Sequence, residues 1–317
     1  MLPPPPSDHT VDAMKKILVL TLVTASLGMA SLPAQQAPQI WTGRISDSMC
    51  GASHEGRAGA STERECIFEC LKSLARYVLV DRNNKVIPIA NQDLAGLPLY
   101  AGRMVRLTGD LAGDALVASR IEAIPPHLHM GHVMTNWRDT PGGVGFLIAA
   151  VTDARVAVAH ARLAGMDPGS LDDMKLHAGH VLNALDPGIE PRGPASGYGV
   201  KKAASGALQH LDFAASAEGA SANVKTHATH VTASLRDSIQ WTDQAIAAAE
   251  KIRAATSAAD AAPFVKDLIL LTTHIVEGVD ANNDGQIGWQ AGEGGLTQAQ
   301  AHMALMMKGE GLENAPR

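Results

Sequence analysis

Two gap-free stretches, offset by 50 residues, carry histidines at the same places. His160, His177 and His180 in 157–185 match His210, His227 and His230 in 207–235, and Lys175 and Val181 match Lys225 and Val231. A shorter echo, His129-Met-Gly-His132, precedes them. Imidazole is the commonest metal ligand and a usual axial ligand of haem. Of the 13 histidines, 11 lie between His127 and His302. The chemistry these residues suggest is ligation of zinc, copper or nickel, or of a b-type haem held by two imidazoles.

The elements that must position them follow from the repeat. Self-similarity marks supersecondary units that bury their apolar faces against neighbours. Helical periodicity predicts spans at 128–137, 144–163, 171–185, 200–217, 223–255, 261–279 and 296–307. Ser170 and Ser221 stand where helix caps belong, after short turns that make antiparallel hairpins. Residues equidistant from such a turn share a height, so His160 should face His177, and His210 should face His227. His180 and His230 lie one turn further along. His274 and His302 flank a third connection, placing eight histidines in one zone. The alternative is structural: His177 flanks the apolar stripe Leu171, Met174, Ala178, Val181, Leu182 and Leu185, and His180 sits further towards solvent. No Glu-x-x-His pair supports a ferritin-like di-iron site, and no Cys-x-x-Cys-His supports covalent haem. Met303, Met306 and Met307 beside His302 would suit copper or fill a core.

Between the last two helices, Asp280, Asn282 and Asp284 precede Gly285, with Gln286 and Ile287 after it. This spacing resembles an EF-hand calcium loop, with oxygen donors at positions 1, 3 and 5 and glycine at 6. Ala291 replaces the bidentate glutamate at position 12, and Glu293 is the nearest substitute. The alternative is an Asp/Asn/Gly-rich connector.

The first domain, 38–124, carries the three cysteines. Cys66 and Cys70 lie on one face of a helix expected at 61–74, capped by Ser61 or Thr62, and Cys50 and His54 precede it. The four can close a thiophilic metal site, Cys50 can pair with Cys66 or Cys70 in a disulfide that leaves His54 exposed, or the thiols can stay free. Strand signals at 40–46, 77–81, 86–90, 104–109 and 115–124 point to a small OB-like β-barrel. The run from Trp41 to Gly51, with His54, Cys66-x-x-x-Cys70, the strand signal at 77–81 and the run 105–110, resembles a domain of unknown function found in secreted bacterial proteins. That resemblance covers this domain alone and implies no activity.

Met14-Lys-Lys, the apolar run from Ile17 to Leu27 and the small residues to Ala34 read as a signal peptide, with Met14 the expected start. The protein is therefore expected to be periplasmic or secreted, without a stable membrane anchor. From Pro125 onward 14 basic residues face 20 acidic ones, so no basic stripe favours nucleic acid. No HExxH, GxSxG, P-loop or Rossmann fingerprint assigns catalytic residues.

The fold class expected is α+β multidomain: an OB-like barrel, then an all-α up-and-down bundle of hairpins at 126–312. The function expected is non-catalytic binding of a metal or haem as carrier, buffer or sensor, with another exported protein as a further partner. Two alternatives stand beside it. One is a calcium-stabilised interaction module with structural histidines. The other is a periplasmic metalloenzyme or redox protein.

Overall fold

The computed structural model describes residues 38–54 and 62–312. The expected signal peptide, at 1–34, lies outside the described residues. The chain is mixed α+β, a sheet followed by a mostly helical part. Five strands come first: β1 (Gln39–Asp47), β2 (Tyr77–Asp81), β3 (Val86–Pro88), β4 (Met104–Ala112) and β5 (Ala115–Ala123). They form one antiparallel sheet in the order β3-β2-β1-β4-β5. Among the described residues no hydrogen-bonded ladder closes it. Just past the end of β3, Ile89 makes one isolated parallel bridge with Leu116 of β5, where the Ala90 N–H donates to the Leu116 carbonyl at 2.8 Å.

Helix α1 (Glu63–Lys72) connects β1 to β2, and the short α2 (Leu97–Tyr100) connects β3 to β4. Thr62 caps α1 in a reciprocal box with Glu65, satisfying two backbone donors that no helical carbonyl can reach. Alternating residues of the strands, Ile45, Leu79, Ile87, Val105, Leu107 and Leu116 among them, enclose a core with Ile67 of α1.

Seven further helices follow among the described residues: α3 (Pro125–Met134), α4 (Phe146–Ala164), α5 (Leu171–Leu185), α6 (Val200–Ser216), α7 (Ala222–Ala254), α8 (Ala258–Glu277) and α9 (Leu296–Gly309). Ser170 and Ser221 cap α5 and α7 as their positions required, each hydroxyl accepting a backbone N–H of the first turn. Alanine dominates the seams. Ala150, Ala154, Ala157, Ala161 and Ala164 line α4, and Ala203, Ala204, Ala207 and Ala214 line α6, all buried. Small side chains let helix backbones approach closely, so few aromatic rings are needed to exclude water. A β-carbon on Gly206 would come within 2.5 Å of the Phe146 ring, a measure of that closeness. Met303 and Met306 are fully buried in this core.

The long connection 186–199 is irregular but anchored. The buried Asp153 carboxylate on α4 accepts the Ser196 and Gly199 N–H groups, each at 2.9 Å, and the Ser196 hydroxyl at 2.7 Å. Among the described residues no helix is long and apolar enough to cross a membrane.

Candidate metal centres

Among the described residues nine histidines gather into three trios, and each trio has the same construction. One helix supplies two imidazoles three residues apart, hence one turn apart on one face. A second helix supplies the third. His177 and His180 of α5 meet His160 of α4; His129 and His132 of α3 meet His210 of α6; His227 and His230 of α7 meet His302 of α9.

The atoms that converge are the Nδ1 nitrogens. His160 Nδ1 lies 3.0 Å from that of His177 and 3.3 Å from that of His180. His210 Nδ1 lies 2.9 Å from that of His129 and 3.2 Å from that of His132. His302 Nδ1 lies 3.2 Å from that of His227 and 3.3 Å from that of His230. A ring nitrogen offers one in-plane position, either a proton or a lone pair. One Nδ1 facing two others therefore cannot make a full hydrogen bond to both. Three lone pairs turned on one cation have no such conflict. A tetrahedral ion with metal–nitrogen bonds of about 2.0–2.1 Å holds its ligands about 3.3–3.4 Å apart, close to the observed edges.

Burial favours the neutral form of several of these rings. Burial lowers the pKa of His129, His132, His160, His177, His230 and His302. For all of these except His129, neighbouring imidazoles lower it further. His210, the most enclosed of the nine, is pushed down to about 4 by burial, and then by His132 and His129. A neutral ring is the form that ligates. Among the described residues, no cysteine or carboxylate joins the imidazoles of a trio, so a divalent ion held by them would keep its full charge.

Two trios carry a tryptophan reporter. The Trp289 ring stacks on His230 at 3.9 Å between centroids, and Trp137 lies 4.9 Å from both His132 and His210.

Set against the sequence, His160 and His177 meet as expected, with His180 completing the site. The expected pairing of His210 with His227 does not form, and the eight predicted histidines do not share one zone. His210 turns to α3 and His227 to α9. His274 joins no trio; its ring packs edge-on to Trp241 at 5.4 Å. His129 and His132, which are not among the eight expected ligands, join His210, and their i, i+3 spacing repeats that of His177–His180 and His227–His230.

The sheet holds a cluster of different chemistry. Cys50 Sγ lies 3.7 Å from Cys66 Sγ and 3.6 Å from Cys70 Sγ, and no disulfide joins the three. Cys66 and Cys70 are buried one turn apart on α1. Cys50 sits in a turn that Asp47 shapes, its Oδ1 accepting the Met49 and Cys50 N–H groups at 2.9 Å. Asp47 and His54 join Cys50 in an overlapping group within 4.8 Å. His54 Nε2 is 2.8 Å from the Ser46 hydroxyl. Burial, above all, pushes the Cys70 thiol up to about 12, with Cys50 and the Asp47 carboxylate adding to it.

The Asp280 loop is braced by its own backbone. The Asp280 carboxylate accepts the Asp284 and Gly285 N–H groups at 3.1 and 2.9 Å, Asn282 accepts that of Asp284 at 2.8 Å, and Asp284 accepts that of Gln286 at 2.8 Å. Gly285 takes the positive φ of 85° that a sharp turn demands. Glu293 is buried and accepts the Gly288 N–H at 3.0 Å. Among the described residues it does not gather with Asp280 and Asp284 into one ligand group.

No known protein family, curated protein or solved structure matches this chain.

Proposed function

We propose that this is an exported, non-catalytic protein that binds transition-metal ions through three separate three-histidine centres, as a carrier or buffer. The observation that carries the reading is the threefold recurrence of converging Nδ1 atoms at 2.9–3.3 Å. Three soft-to-borderline nitrogen donors per site suit zinc, copper or nickel. An open position on each ion allows a second ligand to enter and take the metal away, which a carrier needs. The spacing favours a bare ion over haem. Axial imidazoles approach a haem iron from opposite faces, whereas these nitrogens crowd one point from adjacent directions.

The finer architecture belongs to the same proposal. The strand order and the bridge from Ile89 to β5 support an OB-like barrel, and the short α4–α5 and α6–α7 turns support an up-and-down bundle. The Asp280 loop is read as a calcium-type loop on its oxygen spacing and its glycine turn.

Metal-free full-length protein, titrated with Cu²⁺ and followed by native mass spectrometry and tryptophan fluorescence, tests the function. Three imidazole-dependent equivalents are expected, two of them quenching Trp137 and Trp289. Retention of the full metal load after His160→Ala, His210→Ala and His302→Ala are combined would defeat the reading.

A further inference from the structure

The cysteine cluster is a separate centre from the histidine trios. Three sulfurs from two elements, a loop and a helix, converge with measured edges of 3.6 and 3.7 Å. An ion bound tetrahedrally by thiolates at about 2.3 Å spaces its sulfurs about 3.8 Å apart. The observed edges are therefore close to those of a chelate, without movement of either element. Asp47, itself fully buried, comes to the same place beside Cys50, and His54 stands with it. Such a set concentrates negative charge in a buried position whenever its thiols ionise, and only a cation there offsets that cost.

We propose that Cys50, Cys66 and Cys70 form a thiolate centre for a thiophilic d¹⁰ cation, Zn²⁺ or Cu⁺, with Asp47 and His54 facing its fourth position. Binding forms three metal–sulfur bonds and breaks three S–H bonds, and the protons leave to solvent. No electrons move. The centre differs from the trios in both donors and charge. Three thiolates more than offset the charge of the ion and hold it, whereas neutral imidazoles leave it charged and exchangeable. The sheet centre is thus a retained structural ion, and the helical centres are the exchanging ones.

The test uses the full chain, reduced and metal-free, reconstituted with Co²⁺ as a spectroscopic probe and with Zn²⁺ for thiol counting. Cobalt at the cysteine centre gives an intense thiolate-to-metal charge-transfer band that imidazole sites cannot give. One equivalent of Zn²⁺ should protect all three thiols from alkylation together. Cys50→Ser, in the half-exposed loop, should abolish the band and the protection, and Cys66→Ser should do the same. His177→Ala with His180→Ala should leave both intact while removing an imidazole-bound equivalent, so the two kinds of site fail independently. If Cys50→Ser keeps the band, the assignment is overturned. It is equally overturned if protein reconstituted with Zn²⁺ shows, by intact mass, a disulfide from Cys50 to Cys66 or Cys70 and one alkylatable thiol.

Discussion

Helices α4–α5 and helices α6–α7 look alike in sequence and do different things with their histidines. Each pair is joined by a short turn, and each carries a lone histidine before the turn and a His-x-x-His after it. In α4–α5 the three meet within their own hairpin, His160 against His177 and His180. In α6–α7 they part: His210 joins α3, and His227 and His230 join α9. Distance from a turn fixes the height of a residue along a helix and says nothing of its azimuth. Helix α6 packs on α3, α4 and α7 at once, so its histidine has several neighbours to choose among. Both trios that result join residues more than 70 positions apart (|i−j| of 81 and 78, and of 75 and 72). The α4–α5 trio needs only a hairpin.

Removing ligands should expose that difference most sharply. His210→Ala is expected to weaken one metal equivalent by more than about 100-fold, beyond the cost of losing an outer-shell partner. In a double-mutant cycle it should couple strongly with His129→Ala and be additive with His227→Ala, whereas His160→Ala should couple with His177→Ala. Metal affinities from chelator competition decide it. Coupling of His210 with His227 would restore the simple hairpin picture.

Acidification should act next. The folded-state pKa of His210 lies near 4, below its ordinary value of about 6.5. Between those values the unfolded chain binds a proton that the folded one refuses, so stability falls as pH drops from 6.5 towards 4 and is fully present above 6.5. The other lowered histidines of the trios add in the same direction. Thermal unfolding of metal-free protein at pH 7.5, 5.5 and 4.5 should show a falling midpoint, and His210→Leu should flatten the slope. A midpoint that rises on acidification would contradict the burial of these rings.

Calcium should have the smallest effect, and it should distinguish the two regions. The Asp280 loop leads into α9 and lays Trp289 on His230, so an ion there would steady the α7–α9 trio and leave the α4–α5 trio alone. At ten times its dissociation constant, calcium is expected to stabilise the protein by about 1.4 kcal/mol. It should also tighten metal binding at His227, His230 and His302 by a few-fold. Asp280→Ala with Asp284→Ala should remove both effects. Equal tightening at the His160 site, or no calcium uptake by calorimetry, would count against the loop.

Much of this molecule was legible in the chain because its signals are local. Strand runs, helix spans and the caps Ser170, Ser221 and Thr62 depend on neighbours a few residues away, and they fall where periodicity and capping chemistry put them. The His-x-x-His spacing likewise fixes two ligands on one helix face, since one helical turn is all it requires. The third ligand of each trio was legible only where a short turn delivers it, as with His160. Which helix faces His210, which faces His227, and that His274 is left to pack on Trp241, depend on how α3 to α9 turn about their axes. That is decided by burial of the whole alanine-lined core at once, a sum over contacts distant in sequence. The same holds for the cysteines: their i, i+4 spacing put Cys66 and Cys70 together, but only the folded turn at Asp47 brings the Cys50 sulfur to them.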